Sequence, residues 1–280
     1  MTRHYRVLID CKDEKGLVYK ISKAFYDFDL NVEKNREFVD AQNGKFFMRS
    51  EVSGRFDPAA LEAELKLVLP EKAKIRLAEP RPKRIVLMAT KESHCLGDIL
   101  IRHEAGELEA DVVGVVSNYD TLRSLVERFD IPYVHVPHEG LQRAQHEEKI
   151  LEALERFGPL DYIVLAKYMR ILTPEFVAHF DERIINIHHS FLPAFIGANP
   201  YKQAYDRGVK IIGATAHFVN NNLDEGPIIA QDTIPVNHAM DWVQMRNAGR
   251  DVEKIVLAKA LKLALEDRIF VYANKTVIFD

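Results

Sequence analysis

From Ile85 onward, short apolar runs alternate with amphipathic stretches, and this alternation restricts the possible folds more than any other feature of the chain. Ile85 to Ala89, Asp111 to Ser117, Tyr133 to Val136 and Asp161 to Ala166 read as strands. Each is followed by apolar residues at helical spacing, as in Leu122, Leu125, Val126 and Phe129, or Ile150, Leu151, Leu154 and Phe157. Strands that are joined through helices pair in parallel, because a hairpin has no room for the crossover. The pattern therefore predicts a doubly wound, Rossmann-like α/β domain. Sites in such domains open beyond the carboxyl ends of the strands, where the strand order reverses. From Met240 the pattern is helical, through Trp242, Val252, Ile255, Leu257, Leu261 and Leu265, and strand-like Ile269 to Tyr272 and Thr276 to Phe279 follow.

Two prolines and three basic residues around Pro80, Arg81, Pro82, Lys83 and Arg84 interrupt the periodicity and predict a boundary between residues 1–80 and 84–280. Before it, Tyr5 to Asp10 reads as a strand, and Leu17, Ile21, Ala24, Phe25 and Phe28 keep helical spacing. Phe46, Met48 and Val52 alternate opposite Glu37 to Asp40, and Asp57 followed by Pro58 opens a second helix through Leu61, Leu65 and Val68. With a short strand near Ile75, the order is β-α-β-β-α-β, a ferredoxin-like plan.

At 280 residues with 47% hydrophobic content, the chain can bury two cores, and a formal net charge of −4 argues against a nucleic-acid surface. Cys11 and Cys95 are far apart and form no paired spacing, so they read as packing thiols in a reducing compartment. No run approaches the roughly 20 apolar residues of a membrane helix. The expectation is a cytoplasmic enzyme without a membrane partner.

In an extended strand, residues two apart face the same way, so Asn186 and His188 project together from the run that begins at Ile184. If the fold brings Asp224 to His188, an amide donor, a proton carrier and a carboxylate converge, which is equipment for attack on a carbonyl. Taken singly, Asn186, His188 and the Leu223-Asp224-Glu225-Gly226 turn are ordinary loop residues. On the same alternation His189 faces away from His188. His188, His189, His217 and Asp224 offer metal-ligand chemistry, but their spacing fits no HExxH pattern and the expectation is that no metal is bound.

NIHHSFLPAFIGANPYKQAYDRGVKIIGATAHFVNNNLDEGPIIAQD, residues 186–232, resembles the catalytic segment of the folate-dependent formyltransferase superfamily, including the Gly213, Thr215, Phe218 and Val219 approach to the aspartate. Ala166 to Pro174 is similar to the loop of that superfamily that lines the pterin pocket. The resemblance implies Asn186, His188 and Asp224 as catalytic residues, with Met169, Arg170, Ile171, Leu172, Val219 and Leu223 against the folate. The segment Ala89-Thr90-Lys91-Glu92-Ser93-His94-Cys95-Leu96-Gly97-Asp98 is poor in glycine. Superfamily members that formylate a phosphorylated amine resemble one another here in a Gly/Ser-rich phosphate cradle.

This chain instead resembles the deformylase branch, which carries an amino-terminal ACT domain and a His-Cys-Leu type segment. That branch implies hydrolysis of 10-formyltetrahydrofolate to formate and tetrahydrofolate by metal-independent water attack, balancing one-carbon pools and supplying formate for purine biosynthesis. The folate is then substrate, and no cofactor is expected. Ser93, His94 and His217 are expected to support the site, while without the resemblance Ser93 and His94 read as a helix N-cap and its neighbour. The ACT resemblance implies a homo-oligomer and an amino-acid effector such as glycine or methionine at the turn of Asp13, Gly16 and Leu17. Gly16 serves equally as the residue that permits a tight turn. Lys202 stands where relatives often carry His, either to meet the glutamate tail of folate or to face solvent. A transferase with another amine acceptor and an inactive sensor are the competing readings.

Overall fold

The computed structural model describes residues 2–193 and 200–279. Residues 194–199 of the formyltransferase-like stretch lie outside the described residues. Two compact units are distinguished, one running to Arg81 and including Glu266–Phe270 and the stretch from Val277, the other formed by Pro82–Leu265 and Val271–Thr276.

The first unit contains β1 (Arg3–Lys12), α1 (Leu17–Asp27), β2 (Asn31–Asp40), β3 (Lys45–Gly54), α2 (Pro58–Val68) and β4 (Lys74–Ala78). Its sheet has the order β2-β3-β1-β4, and every pairing is antiparallel. This is the ferredoxin-like plan that an ACT domain uses. Alternation puts Val7, Ile9 and Cys11 with Phe46, Met48 and Val52 on one face, where Leu17, Ile21, Phe25, Leu61 and Leu65 from the helices cover them. Asp57 caps α2 by accepting a hydrogen bond from the Ala59 amide at 3.1 Å, with Pro58 in the first helical turn. Gly16 precedes α1 with φ +92°, a conformation that a side chain would strain. The other face of the sheet carries Arg6, Arg49 and Phe47. Arg49 donates to the carbonyls of Asp267 and Glu266 at 2.9 Å, and Phe47 meets Phe270 edge-on at 5.6 Å. Sequence periodicity did not assign residues 266–270 to this unit, because the contacts that hold them there are mainly arginines to carbonyls and a carboxylate.

The second unit contains β5 (Lys83–Ala89), α3 (His94–Glu104), β6 (Ala110–Ser117), α4 (Arg123–Val126), β7 (Tyr133–His135), α5 (Arg143–Glu155), β8 (Tyr162–Leu165), α6 (Pro174–Ala178), β9 (Ile184–His188), α7 (Pro200–Arg207), β10 (Ile211–Phe218), β11 (Ile228–Pro235) and α8 (Trp242–Leu265). Two further strands, β12 (Ile269–Tyr272) and β13 (Lys275–Ile278), pair with each other. The large sheet has the order β11-β10-β9-β8-β5-β6-β7. It is parallel from β9 through β7, and β10 and β11 pair antiparallel. Order reverses on either side of β5, so the switch point lies between β5 and β8. One expectation needs correction. The helix after β6 shrinks to α4 and a 3₁₀ turn, ended by Asp130 at φ +55°. Ile255 lies within α8, as its helical spacing predicts, and is 55% exposed. Among the described residues, no helix is long and apolar enough to cross a membrane.

Candidate active site

β9 ends the apolar run Ile184–Ile185 with two polar side chains on one face, Asn186 and His188. The antiparallel register puts His217 of β10 opposite Asn186 and Thr215 opposite His188. His217 is locked in one tautomer. Its Nδ1 lies 2.8 Å from the Phe218 carbonyl, which only accepts, so Nδ1 carries the proton. Its Nε2, 3.2 Å from Asn186 Nδ2, then accepts from the amide. Burial pushes the His217 pKa down and keeps the ring neutral, an outcome that favours this arrangement. One Asn186 N–H is thereby spent on His217, and the second remains for a ligand.

His188 Nδ1 stands 3.3 Å from Asp224 Oδ1. Its Nε2 is buried and has no hydrogen-bond partner among the described residues. A buried polar atom of this kind is costly unless a ligand completes it. Burial pushes the Asp224 carboxyl up, but the hydrogen bond from His188 and the nearby charges of His188, His217 and His189 leave it below its ordinary value. The aspartate is therefore anionic across the neutral range.

Asp224 sits at φ +57°, a conformation Asp tolerates better than most residues. The Asn222 amide donates to Asn220 Oδ1 at 3.0 Å, and Asn274 Nδ2 donates to the Glu225 carbonyl at 2.7 Å, so the loop is tied on both sides. Gly226 is needed because a Cβ there would lie 1.7 Å from the Phe218 carbonyl oxygen. Gly226→Ala must therefore shift the loop bearing Asp224. A displacement of about 1 Å costs on the order of 100-fold in rate, and kcat is expected to fall by about that factor; a variant with near wild-type kcat would show that the loop is not positionally critical. Beyond β9, Thr215 Oγ1 donates to the Ser190 carbonyl and accepts from the Leu192 amide and from Gln231 Nε2, at 2.9, 3.0 and 2.9 Å, which fixes the turn after the histidines.

The expectation that His189 points away from His188 is not met. Their ring centroids are 5.1 Å apart, because β9 ends at His188 and strand alternation stops there. Burial, then the charge of Lys167, pushes His189 down to about 4, so its ring is neutral. Ser93 occupies the N-cap position of α3, but its side chain makes no capping hydrogen bond. His94 turns inward instead, with Nε2 2.7 Å from Glu253 Oε2. Glu253, Lys167, Tyr201 and Arg250 did not emerge from the sequence as site residues. The available signal was Glu253 on the apolar stripe of α8, between Gly249 and Leu257. Lys202 pairs with Asp206 at the surface at 2.6 Å.

Met169 and Ile171 are exposed in the loop after β8, with Arg170 and Leu172 partly buried between and beside them. Leu223 and Phe191 add further exposed apolar surface, and Val219 packs against the core. In the first unit, Leu17 is buried in the core, Asp13 donates its amide to the Gly44 carbonyl at 2.9 Å, and Gly16 supplies the left-handed turn.

The histidines around Asp224 are poorly disposed to hold a metal. Both His217 nitrogens and His188 Nδ1 are already engaged, which leaves His188 Nε2 and the ring of His189 as the nitrogen donors near Asp224. Among the described residues, His94, Cys95 and Glu253 do bring ligand atoms within 4.8 Å of one another. There the Glu253 oxygens are taken by His94, Tyr201 and Lys167, and burial pushes the Cys95 thiol up, away from the thiolate a metal needs.

Residues 83–261 match the formyl transferase family, which gives the class of the second unit. Over nearly its whole length the chain is similar to formyltetrahydrofolate deformylases: 57% identical over 97% of this chain and 98% of the Haemophilus influenzae protein, and 56% over 96% and 95% for that of Escherichia coli K12. The crystal structure of the Pseudomonas syringae pv. tomato deformylase superposes with a TM-score of 0.95 at 42% identity, covering 99% of this chain and 95% of that one. Glycinamide ribonucleotide transformylase 1 from Symbiobacterium toebii is similar over 71% of this chain and 95% of its own, at 30% identity and a TM-score of 0.68. The chain belongs to the formyltetrahydrofolate deformylase family.

Proposed function

We propose that this chain hydrolyses 10-formyltetrahydrofolate to formate and tetrahydrofolate. The observation that carries this reading is the buried His188 Nε2, without a hydrogen-bond partner among the described residues, beside the Asn186 amide and with Asp224 behind the imidazole. The N10 formamide nitrogen is conjugated to an aryl ring, so its lone pair is partly withdrawn and the formyl carbon is open to attack. Asn186 and protonated His188 donate to the formyl oxygen as it gains negative charge, and Asp224 stabilises the imidazolium. Water forms the new C–O bond, the C–N10 bond breaks, the proton lost by water ends on N10, and formic acid releases its own proton to solvent. Met169, Arg170, Ile171, Leu172, Val219 and Leu223 form the proposed folate surface, with exposed apolar side chains suited to a pterin face.

The proposed organisation is a catalytic domain from residue 84 and an ACT-like regulatory domain over residues 1–80, acting as a homo-oligomer in the cytoplasm. Support for oligomerisation comes from β2, an edge strand of the small sheet that exposes Val32, Phe38 and Val39. Glycine or methionine is the proposed effector, at the turn around Gly16. The activity balances one-carbon pools and supplies formate for purine synthesis.

Formate release from 10-formyltetrahydrofolate without any acceptor amine is the direct assay, and its absence in folded protein would sink the reading. The same assay after dialysis against a chelator is expected to give an unchanged rate. Loss of activity that is restored by zinc would assign the polarising role to a metal.

A further inference from the structure

Three segments converge at the switch point of the large sheet: the turn after β5 carrying Glu92 and His94, the turn after β8 carrying Lys167, and His189 after β9. In a doubly wound sheet this is the crevice where a ligand is expected to lie. Here it is packed with the chain's own charges. Glu253 of α8 is fully buried, and its carboxylate takes His94 Nε2 at 2.7 Å, the Tyr201 hydroxyl at 2.6 Å and Lys167 Nζ at 3.2 Å. These partners and the charge of Lys167 outweigh burial and hold Glu253 down to about 2, so it stays anionic. Lys167 is 4% exposed and sits at φ +64° with its carbonyl accepting from the Thr90 amide at 3.3 Å, while Thr90 Oγ1 accepts from the Met169 amide at 2.9 Å, so the two turns are stitched together. Arg250 closes the rim by donating to Glu92 at 2.8 Å. Tyr201 lies directly on α8, where a Cβ at Gly249 would stand 2.3 Å from its ring.

We propose that Glu92, His94, Lys167 and Glu253 fill the switch-point crevice with a charge network, Glu253 held by His94, Lys167 and Tyr201 and Glu92 held by Arg250, denying an amine acceptor a seat beside the formyl carbon and making water the nucleophile. This inference rests on the hydrolytic reading. The network adjoins the catalytic pair through His189, whose ring lies 5.1 Å from that of His188 and 6.2 Å from that of Tyr201. Amine and water follow the same bond changes: the incoming lone pair bonds to the formyl carbon, the C–N10 bond breaks, and the nucleophile's proton ends on N10. Chemistry therefore does not choose between them, and access does. An amine would have to displace the Glu92–Arg250 pair and then separate the buried Lys167 and Glu253 charges in order to dock, a penalty that water, being small, does not incur. These four side chains are specificity determinants, not catalytic residues.

The test supplies the full-length enzyme with 10-formyltetrahydrofolate and excess glycinamide, quantifying N-formylglycinamide by mass spectrometry and formate enzymatically. Wild type is expected to give formate alone. The Glu92→Ala/His94→Ala double variant leaves Glu253 paired with Lys167 and Tyr201, and opens the more accessible side of the crevice. Its ratio of N-formylglycinamide to formate is expected to rise roughly 10-fold to 100-fold above the wild-type limit, the range that a change in pocket contacts gives. Glu253→Gln keeps the crevice filled and is expected to retain the wild-type ratio even if it is less stable. Should the double variant not fold, Glu92→Ala alone is read by the same ratio. A folded opening variant that still hydrolyses with the wild-type ratio overturns the proposal, as does wild-type enzyme that formylates glycinamide. Absence of formate without glycinamide overturns the hydrolytic reading itself, and is scored separately.

Discussion

Asp224→Asn is expected to lower kcat by roughly 100-fold to 1000-fold while the KM for 10-formyltetrahydrofolate changes little, because the carboxylate acts on charge that develops in the transition state. Asparagine is the informative replacement. Asp224 occupies the left-handed region at φ +57°, where Asn is as well tolerated as Asp, so the loop keeps its course and only the charge is lost. Steady-state kinetics on the folded variant decides, and near wild-type kcat would remove Asp224 from the mechanism. His188→Ala is expected to fall as far. His189→Ala is expected to lose less, since His189 makes no described hydrogen bond to Asn186 or Asp224. The same pairing fixes a pH dependence. Asp224 is depressed in the folded protein, so its contribution to stability is complete above the ordinary carboxylate pKa, about 3.9, and is lost as pH falls through the lower folded value. Asp224→Asn removes that part of the acid limb.

The elements with strong periodicity were legible before the structure. β5, β6, β8 and α8 each carry an apolar pattern whose period announces its type, and Asp57-Pro58 announces the start of α2. Asn186 and His188 were legible as a pair because strand alternation reaches His188, and His189 was misread because it stops there. Asp224 was legible only through family resemblance, since a Leu-Asp-Glu-Gly turn has no chemistry of its own until Gly226 and Asn274 hold it against β9. The network of Glu92, His94, Lys167 and Glu253 was invisible for a different reason. Its members come from three segments, with 73 residues from His94 to Lys167 and 86 from Lys167 to Glu253, and a charge on a helix reads as solvated until the opposite charge is seen to be buried with it. The burial of Asp267 was hidden in the same way.

Asp267→Ala is expected to destabilise the first unit by about 3 to 5 kcal/mol, the range for breaking a buried ion pair by removing one of its members. The Asp267 side chain is fully buried, with Oδ2 3.3 Å from Arg6 and Oδ1 2.6 Å from Arg76, and Arg6 itself is 8% exposed. Removing the carboxylate takes this ion pair from the buried Arg6 and the 2.6 Å pair from Arg76, while Arg49 keeps its bonds to the carbonyls of Asp267 and Glu266. Two effects contribute, and a second substitution separates them. Asp267 has φ +53°, a conformation that costs alanine more than aspartate or asparagine. Asp267→Asn keeps the side-chain shape and tolerates this backbone, so it isolates the charge. Urea unfolding of the full-length protein measures both variants: the Asn variant is expected to account for most of the loss, with the remainder appearing only in Ala. An Asn variant as stable as wild type would mean that the backbone bonds from Arg49 and the Phe47–Phe270 contact, not the ion pairs, hold residues 266–270 to the small sheet.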